Sequence, residues 1–260
     1  MASKVESIKS VLTTEEMEKI IFQYKIPSSY LRSIPKETDR ADSPPTGYIT
    51  VYEAHLKSGL RFPLASELQT IFSDLGVSIA RYHANAVRYL CNLCIFFRLR
   101  GTTLNTSIVR ALFKFCQNGD WISLSPRDLN ISGVIIDTVK NWKDRFFFLA
   151  VPQSGISNAW GKIPESLSGK PSPEEEESVK LLIKMIKSNM ESFSDKGRLF
   201  TPEIFALTKW GSLTDKAGTS EPTPKKLKRK AKDTAPQGVN VWLFHPANLL
   251  LLILLRLVSL

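Results

Sequence analysis

Three apolar stripes with helical spacing follow one another in the middle of the chain. The first repeats at steps of three and four residues and stops before Gly76, a residue type that commonly ends helices. The stripes consist of Leu64, Leu68, Ile71, Phe72 and Leu75; of Val87, Leu90, Cys91, Cys94 and Ile95; and of Ile108, Leu112, Phe115 and Cys116. The pattern predicts three helices, the second over 84–99, and a mostly helical core.

Short strands are expected on both sides of these helices. Residues 48–52 combine β-branched and aromatic side chains, and 121–124 alternate as an edge strand does. The continuous apolar run 145–151 has the length of a buried strand. The sequence therefore predicts an α+β fold, mainly α with a few short β-strands, built on a compact helical core.

Helix starts are recognisable outside this region. Thr13 and Glu16 have the Thr-x-x-Glu spacing of a capping box, which predicts a helix beginning there. The acidic residues 174–177 precede another apolar helical face. The Thr-Pro-Glu sequence at 201–203 predicts a last short helix.

The chain divides into five segments by composition. They are an N-terminal helix and linker at 1–43, the main domain at 44–162, an accessory helical segment at 163–210, a disordered basic linker at 211–240 and an apolar tail at 241–260. Glycine, serine, threonine, proline and lysine dominate the basic linker, so we expect it to bury too little apolar surface to fold.

One run holds most of the excess positive charge. The net charge of the chain is +10, and six cations lie close together: Lys225, Lys226, Lys228, Arg229, Lys230 and Lys232. Without them the net charge is +4, so the rest of the chain is only mildly basic. The run has the Lys-Lys-x-Lys form of a nuclear localisation signal, which predicts a nuclear protein bound by an import receptor. Non-specific binding to nucleic acid and a solvated linker are the alternatives.

Signatures of catalysis are missing from the sequence. It contains no phosphate-binding glycine loop, no Gly-x-Ser-x-Gly elbow and no His-Glu-x-x-His pair. We therefore expect no enzyme, and no catalytic, cofactor-binding or metal-binding residues. The enzymatic alternative, a remnant transposase or integrase-like nuclease, needs three carboxylates around metal ions. No distinctive spacing relates its candidates, which are Glu53, Glu67, Asp74, Asp120, Asp128, Asp137 and Asp144.

Cys91 and Cys94 form a Cys-x-x-Cys inside the second predicted helix. Zinc needs four ligands, and the further candidates Cys116 and His83 lie at spacings of no common zinc module. We therefore expect both cysteines to be small core side chains.

The large aromatic and basic side chains also have structural interpretations. Core packing is expected for Trp121, Trp142, Trp160 and the phenylalanines 146–148, because base stacking would need cations interleaved at strand spacing. A solvated helix edge is expected for Arg81, Arg88, Arg98 and Arg100.

Apolar sequence forms the tail. Residues 249–255 are an uninterrupted aliphatic run, whereas a membrane span needs roughly 20 apolar residues. The tail reaches that length only by including proline, histidine, asparagine and arginine residues. We expect a translated extension of a degenerate gene, with a tail anchor in a membrane through 241–260 as the alternative.

Several stretches occur in the order of a known family. They are 47–48 followed by 52–64, which contains Gly-Leu-Arg-Phe-Pro-Leu; 84–86 leading into 90–97; 119–127; and 142–148. Together they resemble the plant domain family called gypsy-type transposon, or gypsy-type transposase, over about 44–162.

The resemblance implies an origin close to the Gag-adjacent part of plant long-terminal-repeat retrotransposons. It supplies no catalytic residues, and the chain lacks a Cys-Cys-His-Cys knuckle, a protease motif and a Tyr-x-Asp-Asp motif. We therefore expect a non-catalytic, retrotransposon-derived interaction protein in the nucleus, with self-association among its interactions. A tail-anchored membrane protein is a further alternative.

Overall fold

The computed structural model describes residues 8–99, 101–127, 142–152, 155–160 and 201–211, with the single positions 173 and 180. They belong to one of the two units into which the chain divides, Met1–Asp215. The helix expected after 174–177, the basic linker and the apolar tail lie outside the described residues. The described part combines α-helices with short antiparallel strands, which confirms the predicted α+β class.

Six α-helices are present in the described ranges. They are α1 (Thr14–Gln23), α2 (Glu53–Lys57), α3 (Ser66–Leu75), α4 (Ala84–Leu99), α5 (Thr106–Leu112) and α6 (Pro202–Leu207), with a 3-10 turn at Ile79–Arg81. The capping box of α1 is confirmed, since the Thr13 hydroxyl accepts from the Glu16 N–H and the Glu16 carboxylate accepts from the Thr13 N–H. Two otherwise free backbone donors are thereby satisfied.

Two of the three predicted central helices are confirmed. The first apolar stripe lies on α3 except for Leu64, which precedes the helix, and α3 ends in a left-handed residue at Gly76 (φ 65°). The second lies on α4, whose bounds agree with the prediction. Periodicity identified these helices because each buries one continuous face.

The third predicted stripe is wrong beyond Leu112. The helix ends there, and β3 (Phe113–Asn118) follows, paired with β4 (Trp121–Pro126). Phe113 and Phe115 are buried while Lys114 between them is exposed, which is the alternation of a strand. The two-residue turn between the paired residues Asn118 and Trp121 is Gly119-Asp120, with Gly119 at a positive φ of 62°.

A three-stranded antiparallel sheet has its last strand in the middle. β1 (Arg32–Ser33) and β2 (Ile49–Tyr52) flank β5 (Phe146–Leu149), and β2 pairs with β5 from Tyr52–Phe146 to Ile49–Leu149. All four residues of β5 are buried. The predicted buried strand is confirmed, and its continuous apolar run fits burial on both faces.

Segments distant in sequence share the main apolar core. Met17 of α1, Leu68 of α3, Leu90 of α4, Phe147 of β5 and Ile204 of α6 belong to one cluster. The helices before and after the central stripes therefore owe their stability to the same core.

Five of the six aromatic side chains that the sequence predicts to be core residues belong to a second cluster or pack against it. Its buried members include Tyr52, Trp121, Trp142, Phe146 and Phe148, and Trp160 packs against it partly buried. Phe147 lies in the main core. The prediction that these side chains pack in the core is confirmed.

Candidate interaction surface

The sequence-predicted cationic site cannot be placed in the fold. Its residues, Lys225, Lys226, Lys228, Arg229, Lys230 and Lys232, lie outside the described residues. The role of this basic run stays a prediction.

Cys91 and Cys94 lie in the core, as predicted. Both are fully buried free thiols on α4. Burial raises the pKa of each thiol, which disfavours the thiolate that metal binding requires. In the ranges given above, no three His, Cys, Asp or Glu side chains are grouped so that they could hold a metal ion.

Three carboxylates of the nuclease alternative make separate contacts within the fold. Glu53 accepts from Lys57 at 2.7 Å and from Arg145 at 2.5 Å. Glu67 forms a bidentate pair with Arg98, and Asp74 accepts from the Thr106 hydroxyl. Asp128 and Asp137 lie outside the described residues.

Arg81 and Arg98 contradict the expectation of a solvated helix edge. Arg81 is buried, and its Nε donates to the Asp120 carbonyl at 3.0 Å. The Arg98 side chain is only 13% exposed and donates to both oxygens of Glu67, at 2.7 and 2.6 Å. A guanidinium tolerates such burial because its planar donors pair bidentately with a carboxylate.

Two arginines hold the 201–211 segment against the core. Arg98 donates to the Thr208 carbonyl at 2.9 Å, and its guanidinium lies 5.4 Å from the Trp210 ring. The Arg61 guanidinium lies 4.9 Å from the Phe205 ring. Trp210 donates from its indole nitrogen to the Gly59 carbonyl at 2.8 Å. A helix as short as α6 is therefore stabilised by its docking contacts.

Gly211→Ala tests this docking with one added methyl group. The new Cβ would lie 2.6 Å from the Arg61 Cβ, at a backbone φ of +69°. We expect the free energy of unfolding to fall by the strain of a left-handed residue, about 1 kcal/mol, and by a further 1–3 kcal/mol, roughly, from overpacking. Urea denaturation measures the total loss of stability, which is the sum of the strain and the overpacking.

Gly119→Ala is the matched control for backbone strain. Gly119 has a similar φ of +62°, and nothing lies within 4 Å of an added Cβ. In the Gly119→Ala variant the free energy of unfolding should fall only by the backbone strain. Equal losses in the two variants would show that the 201–211 segment does not press against Arg61.

Exposed apolar side chains gather around the outer side of α1. Phe22 is 88% exposed and Leu31 is 66% exposed. They border two adjoining open grooves that share Thr14 and Glu18, one along α1 and one between α1 and the segment that leads into β1. We call this face the α1 surface, defined by Thr14, Glu15, Glu18, Lys19, Phe22 and Leu31.

The opposite side of α1 is anchored in the core. Met17, Ile20 and Ile21 are buried there. Glu18 on the outer side accepts two hydrogen bonds from Arg32 of β1, at 2.9 and 3.1 Å. The helix that carries the α1 surface is therefore fixed in place by core packing on its inner side and by the ion pair with β1 on its outer side.

A histidine that the sequence left without a role is part of the aromatic cluster. His55 is fully buried, with its Nε2 2.8 Å from the Tyr82 carbonyl oxygen. Its ring lies 5.2 Å from that of Tyr52 and 5.9 Å from that of Trp142. Burial, with a smaller contribution from the nearby His83, lowers the pKa of His55 to about 4. His55 is thus a neutral packing residue at physiological pH.

Part of the chain is similar to a plant protein. It is 24% identical over 153 residues to Meiosis-specific protein ASY2 of Arabidopsis thaliana, a match that covers 54% of this chain and 11% of that protein. No family model matches the chain. No solved structure matches it either.

Within the part of the chain that the structure describes, no helix has both the length and the apolar character needed to cross a membrane. The tail at 241–260 lies outside that part.

Proposed function

We propose that this chain is a non-catalytic interaction protein, derived from a gypsy-type plant retrotransposon, that enters the nucleus through its basic run. The observation that carries the proposal is a contrast between the acidic and the apolar side chains of the fold. Three of the seven carboxylates that a nuclease could use, Glu53, Glu67 and Asp74, are engaged in separate contacts within the fold, while large apolar side chains are exposed on the α1 surface.

The carboxylate contacts support a structural role for these groups. Glu53, Glu67 and Asp74 each pair with a side chain from another part of the fold or the next helical turn. A two-metal nuclease needs carboxylates that converge on one place. Separate partners on separate elements favour a binding protein over an enzyme.

Exposure of Phe22 supports an interacting surface. Large aromatic side chains on a protein surface are costly to leave in water, and they are the residues that most often anchor protein interfaces. Phe22 lines one of the two grooves and Leu31 lines the other, and the grooves adjoin at Thr14 and Glu18, so one partner can cover both.

The motif that carries the family resemblance has a structural role in this fold. In the Gly-Leu-Arg-Phe-Pro-Leu stretch, Leu60, Phe62 and Leu64 are buried. The Gly59 carbonyl and the Arg61 guanidinium contact Trp210 and Phe205, respectively. The motif therefore builds the turn between α2 and α3 and contacts the segment that contains α6.

Residues outside the described ranges complete the proposal. Composition predicts the linker at 211–240, where the import signal would be accessible to a receptor, and the apolar tail at 241–260.

Nuclear import depends on the basic run in this proposal. Replacing Lys225, Lys226, Lys228 and Arg229 by alanine should move a fluorescent fusion, made too large for passive diffusion, from the nucleus to the cytosol. The reason is the loss of the cations that an acidic receptor groove binds. Quantitative imaging of the nuclear-to-cytosolic ratio measures the effect.

An equal loss of charge elsewhere is the control. The exposed lysines Lys9, Lys36, Lys114 and Lys209, changed together to alanine, should leave the fusion nuclear. A basic-run variant as nuclear as its parent would refute the assignment of the signal.

A further inference from the structure

We propose that the surface where α5 joins β3 binds the phosphate backbone of duplex nucleic acid. Its cations are Arg110, Lys114 and Arg127, which together we call the junction patch. The inference rests on the proposed function in one respect, because nuclear entry brings the chain to DNA. The basic run at 225–232 is a separate source of positive charge and is removed in the test below.

Positive charge is concentrated in one part of the folded chain. Residues 75–127 contain seven cations and one carboxylate, that of Asp120, which gives a net charge of +6. Residues 1–74 contain nine cations and ten carboxylates, and residues 128–210 contain eleven of each. The helices α4 and α5 and the strands β3 and β4 contain no Asp or Glu. Charge of one sign on neighbouring elements attracts a partner of the opposite sign.

Not all seven cations contribute to the surface. Arg81 is buried and donates to a backbone carbonyl, and Arg98 pairs with Glu67. Arg100 lies outside the described residues, and Arg88 lies on α4. The remaining three cations form the junction patch.

Backbone contacts bring these three cations together. The Arg127 Nε donates to the Arg110 carbonyl at 2.8 Å, and the Arg127 N–H donates to the Leu112 carbonyl at 2.9 Å. Lys114 pairs with Ser125, two residues before Arg127, so Lys114 and Arg127 stand on the same face of the hairpin. Arg110 and Arg127 have further contacts within the chain, so the patch is defined by its excess of positive charge.

The acids that border the patch do not balance its charge. Asp74 reaches α5 at Thr106, where its carboxylate accepts from the hydroxyl. Asp128 and Asp137 follow β4 in the chain and lie outside the described residues. When Asp74 and the whole stretch up to residue 141 are counted, the net charge is still +4. Like charges held together repel one another, and an anionic partner relieves that repulsion.

The rest of this face favours duplex nucleic acid over other anions. Ser125 and Asn118 are exposed on the same face as Lys114, and hydroxyl and amide groups join Lys and Arg in contacting phosphates. Among the described residues of 75–127, no large apolar side chain is exposed, so the face lacks the apolar anchor of a protein interface. The same part has no exposed aromatic ring on which unpaired bases could stack, which favours a duplex over a single strand.

Anisotropy of a short labelled DNA duplex of mixed sequence tests the proposal. The parent is the full-length chain with the six cations of the basic run replaced by alanine, so that the run does not contribute. Lys114→Gln in this parent should weaken binding and reduce the steepness of log affinity against log salt by about 0.9, because one phosphate contact is lost. The melting curve should not change, since Lys114 is exposed.

Removal of the whole patch should have a larger effect. Arg110→Gln, Lys114→Gln and Arg127→Gln together should weaken binding at least tenfold at low salt and reduce the steepness by about 2.7, three times the value for one contact. The change at Arg127 also removes its hydrogen bond to the Arg110 carbonyl, so the melting curve of this variant is measured as well. If the triple variant is unfolded, Lys114→Gln decides the result alone.

An equal loss of charge elsewhere is the control. Lys19, Lys25 and Lys36, exposed lysines in the first 74 residues, are changed together to glutamine and should leave the salt dependence unchanged. A parent that does not bind the duplex at low salt would overturn the proposal, as would a control that weakens binding as much as the triple variant does.

Poly-L-glutamate serves as the competing polyanion without phosphates. The parent should bind the duplex more tightly than poly-L-glutamate. The opposite order would overturn the proposal and assign the junction patch to an acidic protein partner. Because the parent lacks the basic run, none of these outcomes bears on nuclear import, and failure of duplex binding is read separately from failure of the proposed function.

Discussion

Arg98→Met should lower the free energy of unfolding by about 3–5 kcal/mol, because it leaves the Glu67 carboxylate buried without its partner. The two side chains are only 13% and 7% exposed, and two hydrogen bonds of 2.7 and 2.6 Å join them. Burial alone would raise the pKa of Glu67, but the hydrogen bonds and charge of Arg98 outweigh it and hold that pKa below its ordinary value. The same substitution also removes the hydrogen bond to Thr208 of the docked segment. Urea denaturation at neutral pH measures the loss.

A double variant distinguishes an unpaired charge from lost packing. Glu67→Leu combined with Arg98→Met replaces the ion pair by apolar side chains of similar size, which is often close to neutral in other proteins. It should therefore recover most of the stability lost by the single variant. Arg98→Lys should fall in between, since it keeps the charge without the bidentate geometry. A single-variant loss below about 1 kcal/mol, typical of a surface pair, would contradict the buried role of Arg98.

Acid should destabilise the protein between pH 6.5 and 4 through His55. Its pKa is about 6.5 in the unfolded chain and is lowered to about 4 in the fold by burial. In this window the unfolded chain takes up a proton that the folded chain does not. The free energy of unfolding therefore falls as the pH falls, by up to about 1.4 kcal/mol per pH unit and about 3 kcal/mol in total.

The geometry around His55 explains why the fold resists its protonation. The Tyr82 carbonyl can only accept, so Nε2 carries the proton of the neutral ring. Nδ1, which would take the second proton, has no hydrogen-bond partner among the described residues. Tyr52 and Trp142 pack against the ring, and His83 is the nearby titratable group.

His55→Gln is the control for this pH dependence. The glutamine amide can still donate to Tyr82 but does not titrate, so the variant should lose some stability at pH 7 and show a flatter slope between pH 6.5 and 4.5. His83, whose pKa burial also lowers, accounts for the slope that remains. Glu16 and Glu53 have lowered pKa values, so the stability they contribute is lost from about pH 5 downward and overlaps only the lower end of this window. A variant as steep as the parent would exclude His55 as the source.

Elements defined by neighbours in the chain were predictable from the sequence. The Thr13–Glu16 cap and the apolar faces of α3 and α4 all arise within a few helical turns, so residue spacing alone identifies them. The error after Leu112 has a local cause as well. Phe115 and Cys116 continue a helical spacing, yet the two phenylalanines 113 and 115 alternate with Lys114, and the turn dipeptide Gly-Asp at 119–120 agrees with the alternation.

Contacts between distant residues were not predictable in this way. Glu67 and Arg98 lie on different helices, and Arg61 meets Phe205 from far along the chain. Only the folded packing brings them together, which is why Arg98 was expected in solvent. The α1 surface did leave a local signal. Phe22 lies off the apolar stripe of Met17, Ile20 and Ile21, so an exposed aromatic residue could have been inferred.

The position of β5 decides when the three-stranded sheet can form on the ribosome. β1 and β2 are made early, but each pairs with β5 and not with the other, so neither has a partner until Leu149 has been synthesised and released from the exit tunnel. Closing these long loops late gives the nascent chain an extended period with apolar segments exposed. A ribosome that stalls or terminates before β5 therefore releases a chain without the three-stranded sheet, and such a chain is a substrate for chaperones and proteases. Only chains long enough to include β5 pair one edge of β2 and so protect that edge from aggregation.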